Sequence, residues 1–210
     1  MKINGKLIYN RFILFLGGLV ILICLFIGFS SKDTIKPDKQ IYMPEHAFQV
    51  GDWIVREGMG YESFLIKKLS GSEYSHIGVI AAIQPNILVV HATTDDDPSY
   101  LNQVIQSDIR DFVDSKRAKK WAVYRESSLE PDKRKDIARA VARQVGEQFI
   151  LGSRGETHRY CTTIIAEKLP FSLRNKLVWS KVELPGLQGE LLFPDALLKL
   201  ESVELIYKNR

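Results

Sequence analysis

The chain has 210 residues, with 29 Lys and Arg against 25 Asp and Glu and a formal net charge of +4. A hydrophobic content of 45% supports a buried core and excludes a disordered polyelectrolyte. Basic residues concentrate between Lys116 and Arg143, but acids are interleaved and no recognition motif accompanies them, so they read as a solvated helix face and nucleic acid is not an expected partner.

In chain order, residues 1–11 carry Lys2, Lys6 and Arg11 and precede an uncharged apolar run, Phe12 to Phe29. Such a run is just long enough to cross the hydrocarbon layer as a helix, and its basic flank predicts a cytoplasmic N-terminus. The alternative is a cleaved signal. No A-x-A-like site follows the run, and Ile23 is bulky where a lipoprotein signal ending at Cys24 needs a small residue. The expectation is a transmembrane anchor over 12–29, a polar, proline-bearing tether over 30–45, and one domain over 46–210 lying outside the cytoplasm, periplasmic or extracellular.

Within that domain "GDWIVREG" is a turn pair followed by a short strand, and "YESFLIKKLS" places Tyr61, Phe64, Leu65 and Leu69 at helical spacing. "SHIGVIAAI" and "ILVVHAT" read as two strands joined across "QPN", "DDDPS" as a loop, and "WAVYR" as a further strand. From Pro131 to Phe149 the residues Ile137, Val141, Val145 and Phe149 recur every four positions, which predicts one helix. "LGSRGETHRY" is a loop, "CTTIIAEKL" a compact helix stopped by Pro170, and "FPDALLKL" and "VELIY" a last helix and strand. Strands grouped in the middle of the chain make the fold class α+β.

The chain has two cysteines, and Cys24 falls inside the apolar run. Cys161 is therefore alone in a domain expected outside the cytoplasm, either as a small buried hydrophobe or as a reactive thiol. At the start of a helix it would face unpaired backbone N–H groups, an arrangement that favours the thiolate and can hold an oxyanion. A base must take the thiol proton and return it to a leaving group. Of the four histidines, His46 lies in the tether region and His158 in a loop, whereas His76 and His91 lie in apolar strands, where an unpartnered imidazole is costly to bury. A two-residue turn at Pro85-Asn86 would set His91 opposite Ile80 and leave His76 about 13 Å along the strand. A wider loop would pair His91 with His76, and a slip of one residue would put them on opposite faces.

The segments "GDWIVREG", "SEYSHIGVI", "VVHAT" and "YCTTIIAEKL" together resemble the circularly permuted papain-fold hydrolases, the YiiX-like branch of the NlpC-type superfamily, related to the lecithin retinol acyltransferases. The resemblance covers about Gly51 to Leu169, with "FPDALL" similar to the closing helix of that family. It implies a permuted papain-like fold with a central antiparallel sheet and packed helices. It implies Cys161 as nucleophile, His76 as base and His91 as the residue that orients the imidazole. Tyr74 and Tyr160 flank the two catalytic candidates in sequence, and each reads as a packed aromatic at the edge of a cleft, with an oxyanion or substrate contact through its hydroxyl as the alternative. Two positions depart from the pattern: His91 stands where Glu is common, and Thr162-Thr163 stand where Ser-Glu is usual. The implied activity is cleavage of an amide or ester bond through an acyl-enzyme, with no metal or organic cofactor. The expected partners are cell-wall peptide or lipid acyl substrate and, through 12–29, the membrane. A non-catalytic peptide- or lipid-binding module of the same fold is the competing class.

Overall fold

The computed structural model describes residues 43–184 and 186–209. The basic flank, the apolar segment 12–29 and the tether as far as residue 42 lie outside the described residues, among which no helix is long and apolar enough to cross a membrane.

Runs buried on both faces, "WIVREG", "HIGVIAA" and "LVVHAT", build three neighbouring strands, β1 (Trp53–Gly58), β2 (His76–Ala82) and β3 (Leu88–Thr93). With β4 (Gln103–Asp108), β5 (Ala118–Glu126) and β8 (Val203–Lys208) they form one sheet in the order β4-β3-β2-β1-β5-β8, antiparallel at every pairing. A separate hairpin pairs β6 (Ser180–Leu184) with β7 (Leu187–Leu191). The helices are α1 (Tyr61–Ser70), α2 (Ile109–Phe112), α3 (Pro131–Ala142), α4 (Thr163–Ala166), α5 (Phe171–Arg174) and α6 (Pro194–Leu198). The architecture is the expected α+β class with a central antiparallel sheet.

One face of the sheet carries the main core. Trp53, Val55, Ile77, Val79, Val90 and Ala122 pack there against Ile137, Ala138 and Val141 of α3 and Ile164 and Ile165 of α4. Each large apolar side chain so buried contributes about 1.5–3 kcal/mol. Residues of the opposite parity, Arg56, His76 and His91 among them, emerge on the other face beneath Phe112.

The Gly-Asp pair that opens β1 has a structural cause. Gly51 sits at φ +96°, and a Cβ there would fall 2.6 Å from the Cβ of Arg134. Asp52 is fully buried and accepts hydrogen bonds from Arg125 Nε and Nη2, both at 2.7 Å, and from the Gln49 N–H at 2.8 Å.

Several elements differ from the sequence expectation. The helix from Pro131 ends at Ala142, and Val145 is 46% exposed. Beyond it the backbone turns to the β4 edge: Gly146 N–H donates to Val104 O, Val104 N–H to Glu147 O, and Phe149 N–H to Asn102 O. The expected helix over "CTTIIAEKL" is one turn, Thr163–Ala166. Strands β4, β6 and β7 were not expected; their mixed polar sequences suit edges and a surface hairpin, where one face is wet.

Candidate active site

His76 and His91 are brought together by strand register. Val79 pairs with Val90 and Ile80 with Val89, so the same register sets His91 opposite Gly78, between the two alternatives considered from the sequence. His76 and Gly78 share a face, and the missing side chain at Gly78 opens a diagonal path between the imidazoles. A Cβ at Gly78 would stand 2.6 Å from Val89 Cγ1 and 3.2 Å from His91 Cβ. Across this gap His76 Nε2 and His91 Nδ1 share a 2.9 Å hydrogen bond, the ring planes at 87°. His91 is wholly buried, and its Nε2 lies 3.1 Å from Ser107 Oγ on β4. Phe112 walls both rings, stacked on His76 with centroids 5.6 Å apart and edge-on to His91 at 4.9 Å.

Two charged residues complete this layer, and neither was singled out from the sequence. Arg56 pairs directly with His76 across β1 and β2. Its guanidinium stacks over Phe112 at 4.5 Å, donates from Nη1 to Phe112 O at 2.9 Å, and from Nη2 to Asp96 Oδ1 and Oδ2 at 2.7 and 2.5 Å. Asp96 Oδ2 is also 3.7 Å from His91 Nδ1. A cation inside the apolar strand "WIVREG" was the readable signal for Arg56; Asp96, in an acidic surface loop, offered none.

Burial and surrounding charge fix the ionisation of these groups. Burial first, then Arg56 and His91, hold the His76 imidazole well below its ordinary range. Burial pushes His91 down to about 3, against the opposing pull of Asp96 and with help from Arg56. For Asp96, burial alone would raise the carboxyl, but His76, Arg56 and His91 overcome it and keep it ionised below the usual carboxylate range. At neutral pH the layer is two neutral imidazoles beside an ionised pair.

Cys161 is buried at the junction of the 150–160 loop and α4, the loop being closed by paired backbone hydrogen bonds between Ile150 and Arg159. The Ile77 N–H, the amide that joins His76 to Ile77, favours the ionised form of its sulfur, and Thr162 Oγ1 lies 3.7 Å away. Burial nevertheless pushes the thiol up, and the Thr162 hydroxyl, the N–H groups of Ile77 and Thr162, and the Arg56 charge only partly offset it. This corrects the expectation of a stabilised thiolate. A single turn of helix supplies little macrodipole, and the sulfur is too desolvated to ionise at rest.

A cavity of about 570 Å³ has Cys161, His76, Arg56, Asp96 and Tyr160 on its wall. The Tyr160 hydroxyl accepts the Leu192 N–H at 2.8 Å, so it anchors the chain leading into α6. Tyr74 lies in the main core against Tyr124, ring centroids 6.3 Å apart, and does not line the cavity. His158 bonds Glu167 at 3.2 Å and packs on Trp179, and His46 is exposed in a 3₁₀ turn, Glu45–Ala47.

No family model matches the sequence, and no curated protein matches it. The fold is similar to the crystal structure of the metalloprotein YiiX from Escherichia coli O157:H7, with a TM-score of 0.62 and 16% identity, covering 77% of this chain and 97% of that one. The likeness is one of fold.

Proposed function

We propose that the chain is a thiol acyl hydrolase of the permuted papain-like type, with Cys161 as nucleophile and His76 as general base. The observation that carries the reading is that Cys161 and His76 line one cavity. With Nε2 of His76 committed to His91, Nδ1 is the nitrogen left for the thiol. A neutral His76 protonated on Nε2 donates to His91 Nδ1, and His91 in turn donates from Nε2 to Ser107, a chain that fixes both tautomers.

In this reaction the Cys161 sulfur attacks the substrate carbonyl carbon as the thiol proton passes to His76 Nδ1. The carbon–nitrogen or carbon–oxygen bond breaks, and His76 returns the proton to the departing amine or alcohol. Water then adds to the thioester, giving its proton to His76, and the thiolate leaves and is reprotonated. The Arg56 charge opposes protonation of His76 before attack and favours the sulfur as it becomes anionic. The resting pair is thus neutral, and charge develops only during attack.

The metalloprotein of similar fold suggests a second reading, because His76, His91 and Asp96 present ligand atoms within 4.8 Å of one another. Two imidazoles and a carboxylate are ligands that zinc accepts. The residues as placed do not fit a cation: both Asp96 oxygens are taken by Arg56, whose buried charge would stand beside the metal, and the His76 and His91 nitrogens are bonded to each other. The thiol reading is therefore preferred.

Its test is hydrolysis of p-nitrophenyl acetate by the full chain. Cys161→Ala is expected to abolish turnover, and His76→Ala to lower it by about 10²–10⁴-fold. Wild-type turnover equal to that of Cys161→Ala would overturn the proposal.

A further inference from the structure

The hydrogen-bond chain from His76 through His91 to Ser107 can run in two directions. Burial keeps both imidazoles neutral, so each carries one ring proton, and a serine hydroxyl both donates and accepts. Run one way, His76 Nε2 donates to His91 Nδ1 and His91 Nε2 donates to Ser107, which leaves His76 Nδ1 bare. Run the other way, Ser107 donates to His91 Nε2 and His91 Nδ1 donates to His76 Nε2. The His76 proton then sits on Nδ1, and the base is blocked. Both directions make the same bonds, so the charge beside His91 Nδ1 decides between them. That charge is Asp96, whose Oδ2 lies 3.7 Å away and attracts a proton onto His91.

Arg56 counters this pull. Its Nη2 donates to both Asp96 oxygens, at 2.7 and 2.5 Å, and its Nη1 donates to Phe112 O at 2.9 Å. Arg117 Nη2 donates to the Asp96 carbonyl at 2.7 Å, and the Asp96 N–H donates to Thr93 Oγ1 at 3.4 Å. Loop and carboxylate are thus pinned with Oδ2 just beyond hydrogen-bond reach of His91. The charges of Arg56 and Arg117 also disfavour an extra proton on His91.

We infer that Asp96 is a positioning residue for His76: clamped by Arg56, it leaves His91 Nδ1 an acceptor and so keeps the base in its working tautomer. Released from Arg56, the carboxylate takes a proton on His91 Nδ1 as its own hydrogen-bond donor. Ser107 then donates to His91 Nε2, and His76 loses the partner that holds its proton on Nε2. The inference rests on the thiol-hydrolase reading, in which His76 Nδ1 must be bare to receive the thiol proton. A pair that served stability alone would leave the ring protons where they are when it is broken. Removing both partners of a buried pair restores stability in either case, so the deciding readout is the tautomer.

Nitrogen NMR of the full chain, labelled with 15N in its histidine rings, tests this at about pH 8, above the ordinary imidazole range. A protonated and a bare ring nitrogen resonate far apart, and His46→Gln, His91→Gln and His158→Gln assign the signals. In the wild type both His76 and His91 are expected to carry their protons on Nε2. In Arg56→Met the His91 proton is expected on Nδ1, with kcat for p-nitrophenyl acetate lowered about tenfold or more. Arg56→Met combined with Asp96→Asn is expected to return that proton to Nε2 and to raise kcat about tenfold over Arg56→Met alone. Should Arg56→Met fail to fold, Arg56→Lys, a point charge that frees one Asp96 oxygen, is read in the same way and should show part of the His91 signal on Nδ1. A wild-type His91 protonated on Nδ1, or a His91 that stays protonated on Nε2 alone in the Arg56 variants, overturns the inference. Turnover abolished by Cys161→Ala alongside either result leaves the hydrolase reading standing. The expected tautomers with no turnover by the wild type keep the role of Asp96 and overturn the hydrolase reading.

Discussion

Gly78 decides where the second imidazole can lie. Because it has no side chain, His91 reaches diagonally to His76 from the position opposite, and the neighbouring Val89 methyl fills the remaining space. Gly78→Ala should therefore overpack the face, at a cost of about 1–3 kcal/mol in urea denaturation, and slow ester hydrolysis by displacing His91. The catalytic candidates themselves were legible as a lone cysteine and two strand histidines. Their spacer was not, since a glycine inside an apolar strand reads equally as a bulge or a weak point. Arg56 was written in the sequence only as a charge among buried residues, and its pairing with His76 required the β1–β2 register. Because Arg56 holds the imidazole low, Arg56→Met should raise it and move the acid limb of the kcat/KM pH profile to higher pH, while Arg56→Lys moves it less. Arg56→Met also leaves Asp96 unpaired, so a stability loss of about 3–5 kcal/mol is expected alongside.

At the scale of elements, strands built on runs of branched and aromatic residues were readable and those of mixed polar sequence were not. β1, β2, β3, β5 and β8 follow runs of branched and aromatic residues, whereas "QVIQSD" in β4 owes its place to hydrogen bonds with β3 and with the chain beyond α3. The four-residue periodicity of Ile137 and Val141 was real, but Val145 and Phe149 continue it only in sequence; the backbone leaves the helix to pair with β4. The Gly-Asp opening of β1 is an architectural joint rather than chemistry, since Asp52 clamps Arg125 across the sheet. Asp52→Ala strands a largely buried guanidinium and should cost about 3–5 kcal/mol, measured as a lower midpoint in chemical denaturation.

For the whole molecule, the site imposes a pH dependence on stability. His76 and His91 titrate near 6.5 when unfolded but are held down when folded, His91 to about 3. The unfolded chain therefore binds more protons below pH 6.5, and stability falls as the pH drops from there toward 3. Asp96, also lowered, adds a loss at the acid end as it becomes protonated. For His91 the contribution is up to about 5 kcal/mol. Tm should decline steeply between pH 6.5 and 4 in the wild type, and the decline should flatten in His91→Gln.

The account turns on Cys161 and His76 acting as one unit. Incubating the full chain with an activated acyl ester and digesting it for mass spectrometry tests this most directly. The predicted result is an acyl thioester on the peptide containing Cys161, forming about 10²–10⁴-fold more slowly in His76→Ala. Acylation that proceeds at the same rate without His76, or that falls on another residue, would contradict it.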